Sequence, residues 1–217
     1  MLIYVVKSND TRYWHLYCLL KEKDECEYSN TIPLKNNVKV LILPLDGIDE
    51  FGYIKHTSMS LEKMLLINKI EVIYTGKVNK YLKRICQQYG IKIYSFYDDA
   101  NYLNNEQLLK MEVIKYFLEE KFNCRFDELK ILILKDNLLL PLKVKLENNN
   151  DVDVIVNYSS VNLDFFKDKI IIEMKDINDI DLTILLNCKK VYLINQLLSQ
   201  YLTKSGAKIL YDSMVNR

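Results

Sequence analysis

Short runs rich in β-branched residues alternate along this chain with segments of helical period. Strands are read at Leu2–Val6, Cys26–Ser29, Val40–Leu43, Glu71–Thr75 and Lys92–Tyr94. Helices are read at Thr11–Glu22, Leu61–Asn68 and Asn79–Tyr89, with Gly90 placed to cap the last. Strict strand–helix alternation leaves few architectures. Successive strands then lie parallel, and the intervening helices cover both faces of one sheet. The fold class expected is α/β, opening with a flavodoxin-like or Rossmann-like parallel sheet.

One stretch of this sheet concentrates the turn chemistry. Val38 to Tyr53 reads VKVLILPLDGIDEFGY. Pro44 ends the apolar run because it cannot donate to a ladder. Asp46-Gly47 and Gly52 then supply residues free to take positive φ. The chain has only five glycines and three prolines, and two glycines and one proline fall here. A tight acidic loop after a parallel strand is where α/β proteins place their sites, at the carboxyl edge of the sheet. The plain structural reading is a strand and a surface turn.

Upstream, Lys7 to Asp10 turns into the first helix, with Asp10 as its cap and Trp14, Tyr17 and Cys18 at helical spacing. Downstream, Asn104–Lys121 is the longest helix. Leu109, Met111, Val113, Ile114, Tyr116, Phe117 and Leu118 cover most of its circumference and predict burial between layers, leaving Glu112, Lys115 and Glu119 as a polar stripe. Lys130–Leu134 opens a second α/β unit. Further strands are expected at Asp151–Asn157, Lys169–Met174 and Lys190–Ile194, and a closing helix at Thr203–Val215. Asp176–Leu186 fits helix and strand equally. The organisation expected is an α/β domain over 1–103, a linking helix over 104–121, a reduced Rossmann-like domain over 122–200 and a closing helical segment over 201–217.

Composition removes several function classes. A net charge of +1 with mixed signs argues against a nucleic-acid binder. No apolar run approaches a membrane span, and Met1 leads straight into a strand without a basic leader, so a cytoplasmic location is expected. The five cysteines are scattered and form no C-x-x-C pair, so neither zinc nor a disulfide framework is indicated. His15 and Cys18 share a helix face, which is too few ligands for a metal.

Leu43, Pro44, Gly47, Glu50 and Gly52 form LP-x-x-G-x-x-E-x-G. This motif resembles the N-terminal domain of the dipicolinate synthase A-subunit family, enzymes of bacterial spore formation. Weaker matches follow in register. Asp10 and Arg12 keep the family's D-x-R, with Ser8-Asn9 in place of a glycine pair. Thr75-Gly76, Asn79 and Tyr81-Leu82 resemble S-G-x-x-N-x-Y-L, and Asp98-Asp99 sits where that family is acidic. Asp151–Asn157 resembles D-I-D-I-x-I-N, and Ser205-Gly206 resembles a T-A-G in the closing helix.

The resemblance implies NADPH-dependent formation of dipicolinate from a dihydrodipicolinate-pathway intermediate, with a flavoprotein-like B subunit for a partner. The second unit departs from the pattern. A dinucleotide fold needs glycines after its first strand, so that the pyrophosphate can reach a helix N-terminus. Here Lys135 to Pro141 has none, Asp136 opposes phosphate, and a strand-and-helix stretch before Asp151 is missing. The chain is expected to bind no NADPH unaided, and no other cofactor is indicated.

Two functions follow: a divergent counterpart of the dipicolinate synthase A-subunit family, acting in dipicolinate formation, or a non-catalytic binding or scaffolding module of the same fold. A receiver-like domain ranks below both, since Lys7-Ser8-Asn9 offers no acidic pair. The partner expected is a B subunit or a second copy of the chain. Candidate residues for a substrate site or structural loop are Asp10, Arg12, Pro44, Asp46, Gly47, Glu50, Gly52, Gly76 and Asn79. If the loop is a site, Asp46, Glu50 and Arg12 should converge in one cleft at the sheet's carboxyl edge.

Overall fold

The structure, a computed structural model, describes residues 2–33, 37–134, 152–158, 168–175 and 190–216. The chain divides into two compact units, Met1–Leu109 with Leu202–Arg217, and Lys110–Tyr201.

The first unit is built on a five-stranded sheet. Strands β1 (Leu2–Val6), β2 (Glu25–Ser29), β3 (Val38–Ile42), β4 (Val72–Thr75) and β5 (Lys92–Ser95) lie in the order β2-β1-β3-β4-β5. Every pairing is parallel. Side chains of a strand alternate between faces, and here both faces are apolar. Leu2, Tyr4 and Val6 enter one core with Leu61, Met64, Leu82 and Ile85. Ile3 and Val5 enter the other with Tyr13, Leu16, Ala207 and Leu210. The first core is closed by helices α2 (Leu61–Ile67) and α3 (Lys80–Tyr89). The second is closed by α1 (Arg12–Lys21) and by the closing helix Thr203–Val215. Gly90 ends α3 in the left-handed conformation expected of it, at φ 67°.

Two helix faces differ from the sequence expectation. The core side of α1 is Tyr13, Leu16 and Leu20, whereas Trp14 is 48% exposed and packs on Tyr17 and Tyr28 at the surface. The longest helix, α4 (Ala100–Phe122), starts earlier than periodicity indicated, because the Asp99 carboxylate accepts from the Asn101 and Tyr102 amides. It is amphipathic and not enclosed on all sides. Leu109, Val113, Ile114, Phe117 and Leu118 are buried, while Leu108 is 69% and Tyr116 50% exposed. Apolar residues at every position cannot all face one core when a turn takes 3.6 residues.

The second unit carries β6 (Ile131–Leu134), β7 (Val154–Asn157), β8 (Ile170–Glu173) and β9 (Val191–Leu193), parallel and in that order. Leu132, Val152, Ile155 and Ile171 form a core cluster within it. The expected last strand stops at Leu193. Ile194–Tyr201 is helix α5, which was not read from the sequence, and the closing helix is then α6. The segments 135–151 and 176–189, including the glycine-free stretch and the ambiguous Asp176–Leu186, lie outside the described residues. No helix among the described residues is long and apolar enough to cross a membrane.

Candidate functional site

The loop after β3 lies at the carboxyl edge of the first sheet, clamped to the β4–α3 turn by the motif residues. The Pro44 carbonyl accepts from the Gly47 amide at 2.9 Å and from Thr75 Oγ1 at 3.2 Å. Gly47 stands at φ 72°, and a Cβ there would meet the Lys77 carbonyl oxygen at 2.6 Å. A Cβ on Gly76 would lie 2.3 Å from the Leu45 carbonyl oxygen, because Lys77 N–H donates to that same oxygen at 2.7 Å. Gly52, at φ 86°, leaves room for the Tyr81 ring.

Asn79 fastens the arrangement. Its Nδ2 donates to the Ile48 and Asp49 carbonyls at 2.9 and 3.1 Å, while its Oδ1 accepts from Leu82 N–H and caps α3. Pro44, Gly47, Gly52, Gly76 and Asn79 are thus brought together, and packing accounts for all five. Asn79→Ala loses the cap and strands two carbonyls, at an expected cost of about 2 kcal/mol. Denaturant unfolding should show that loss, and the Leu82 amide should exchange faster with solvent.

Asp10 and Arg12 form a second assembly. Asp10 Oδ1 accepts from the Arg12 amide at 3.0 Å, but the cap position of α1 falls one residue later than expected, on Thr11, whose side chain makes no capping bond. The guanidinium turns back onto the same carboxylate, Nε at 2.9 Å and Nη2 at 2.7 Å, and its Nη1 reaches Glu106 Oε1 at 3.3 Å. Tyr102 donates to that Glu106 oxygen at 2.9 Å. Arg12 is 2% and Glu106 6% exposed. Burial alone would lower the Arg12 pKa, but the charge and hydrogen bonds of Asp10 outweigh it and hold it well above the ordinary value. Burial, ahead of the Glu106 charge, pushes the Tyr102 hydroxyl well up. Gly206 of the closing helix packs on this arginine, since a Cβ there would meet Arg12 Cδ at 2.5 Å.

The expected convergence of Asp46, Glu50 and Arg12 is therefore not found. Arg12 is spent on an internal ion cluster. Asp46 Oδ2 lies 2.9 Å from His56 Nε2. Glu50 is exposed and borders an open groove of about 540 Å³ with Asn79, Lys80, Tyr81 and Arg84. His56 and Glu106 were missed by sequence reasoning. Nothing in periodicity marks a pair ten or ninety-four residues apart.

His56 also stands at φ 63°, a left-handed conformation that costs a non-glycine residue about 1–2 kcal/mol. Among the described residues no group of three or more His, Cys, Asp or Glu side chains could hold a metal ion.

The second sheet also buries polar groups at its carboxyl edge. Asn157 Nδ2 donates to Glu173 Oε2 at 2.7 Å, and the two residues are 0% and 1% exposed. Burial raises the Glu173 pKa above its ordinary 4.5, against the lowering effects of Asn157 and the Lys175 amide. The folded state then binds more proton than the unfolded state between the two values, so stability falls as pH rises through that window. A urea midpoint that declines from pH 4.5 upward is expected, with a shallower decline in Glu173→Gln.

No protein-family model matches the sequence, and no curated protein sequence matches it. Solved structures do match in fold. The dipicolinate synthase A subunit from Bacillus halodurans superposes with a TM-score of 0.67 at 15% identity, covering 98% of this chain and 96% of that one. The dipicolinate synthase A chain from Bacillus subtilis gives 0.62 at 14% identity, covering 100% and 95%. Over its whole length, the Rossmann-like α/β fold of this chain is similar to that of the A subunit of dipicolinate synthase.

Proposed function

We propose that this chain acts in dipicolinate formation as a divergent counterpart of the A subunit of dipicolinate synthase, working with a B-type partner and binding no NADPH unaided. The reading is supported most by the end-to-end likeness in fold, which covers 98% of the chain. The absence of glycine from Lys135 to Pro141 supports the cofactor part, because a dinucleotide fold needs glycines after its first strand for a pyrophosphate to reach a helix start. A second reading, a non-catalytic binding or scaffolding module, is favoured by Arg12. The one arginine of the D-x-R motif is enclosed by Asp10 and Glu106 and offers no contact to a ligand.

Two measurements separate the readings. Calorimetric titration with NADPH is expected to show no saturable binding at micromolar cofactor, and saturation there would overturn the cofactor part. Dipicolinate formation is then measured with the folded chain added to a dipicolinate synthase B subunit, dihydrodipicolinate and a two-electron acceptor, since the dihydro compound loses two hydrogens on becoming dipicolinate. Product that depends on this chain supports the first reading. No product leaves the scaffolding module.

A further inference from the structure

We propose that Asp46 and His56 form a proton-transfer pair for a small molecule bearing a weakly acidic O–H or N–H, bound over the carboxyl edge of the first sheet. Asp46 Oδ2 lies 2.9 Å from His56 Nε2. With the carboxylate ionised, Nε2 carries the proton and donates it, which fixes the lone pair on Nδ1. No hydrogen bond to Nδ1 is made by the described residues. This is a base oriented by a third group, the arrangement that proton-transfer sites require.

The step moves one proton. It passes from the ligand's O–H or N–H to Nδ1, and the bonding pair stays on the ligand as an anion. The imidazolium keeps its Nε2–H on Asp46, and the reverse transfer restores both partners.

The backbone points the same way. Gly47, Gly52 and Gly90 take positive φ as glycines, whereas among other described residues only His56 and Asn123 do. A glycine at 56 would adopt the turn without strain, so the imidazole stands there at a cost in stability. The turn is rigid, because both the amide and the hydroxyl of Thr57 donate to the Ile54 carbonyl, at 3.1 and 2.9 Å. The site follows β3 at the edge where parallel α/β sheets receive ligands.

The pair stands independently of the dipicolinate reading, and its test uses no dipicolinate. The chain has two histidines, His15 and His56. Diethyl pyrocarbonate reports the nucleophilicity of each by mass spectrometry of its peptide. The expected result is that Asp46→Asn slows modification of His56 about tenfold and leaves His15 unchanged. His56→Gly is expected to raise Tm by about 3 °C. An unchanged His56 rate in Asp46→Asn, or a Tm that falls in His56→Gly, would show a merely structural contact and overturn the proposal.

Discussion

Arg12→Ala is expected to destabilise the first unit by about 3–5 kcal/mol, lowering Tm by about 10 °C. The mutation removes the guanidinium that bridges Asp10 and Glu106, while the Glu106 carboxylate, which also accepts from Tyr102, stays buried. An uncompensated buried charge costs far more than the intact pair contributes. The same side chain fills the space opposite Gly206, so a cavity opens against the closing helix as well. Arg12→Met, which keeps the stem, should lose less, because packing by the aliphatic chain survives. Thermal and urea unfolding of the three proteins measure this directly. A loss below about 1 kcal/mol in Arg12→Ala would mean that the ion cluster is incidental.

Gly76→Ala is the second large effect. Its Cβ would sit 2.3 Å from the Leu45 carbonyl oxygen and 2.9 Å from the Tyr97 ring. The first neighbour is backbone, and it cannot move without breaking the 2.7 Å bond from Lys77 N–H to Leu45. The Gly76 carbonyl is itself held by Ser95 Oγ at 2.6 Å, which limits retreat on the other side. Overpacking of this kind costs about 3 kcal/mol. Amide exchange at Gly47 and Lys77 is expected to accelerate about 100-fold as the loop detaches. Gly90→Ala provides the contrast. Nothing lies within 4 Å of a Cβ there, so only the strain of φ 67° remains, about 1 kcal/mol. Similar losses in the two variants would sink the clamp.

The sequence by itself determined the architecture of the first unit. Its strands have one hydrophobic period and its helices another, and proline and glycine punctuate the joins. Those signals act over a few residues, so β1, β3, β4, β5, α3 and the closing helix are legible without any knowledge of partners. The motif residues were legible too, as positions: Pro44, Gly47, Gly52, Gly76 and Asn79 do meet in one assembly. What each does was decided only by tertiary structure. Gly76 must be glycine because Leu45 crosses it, and Gly206 because Arg12 does. Arg12 reads as a ligand or a solvated charge until Glu106, ninety-four residues later, closes over it. His56 carries no signal in the sequence until the loop folds back and places Asp46 against its ring. Local propensity carries no term for contacts between distant segments. Burial, ion pairing and steric exclusion exist only once the sheet has brought those segments to one edge.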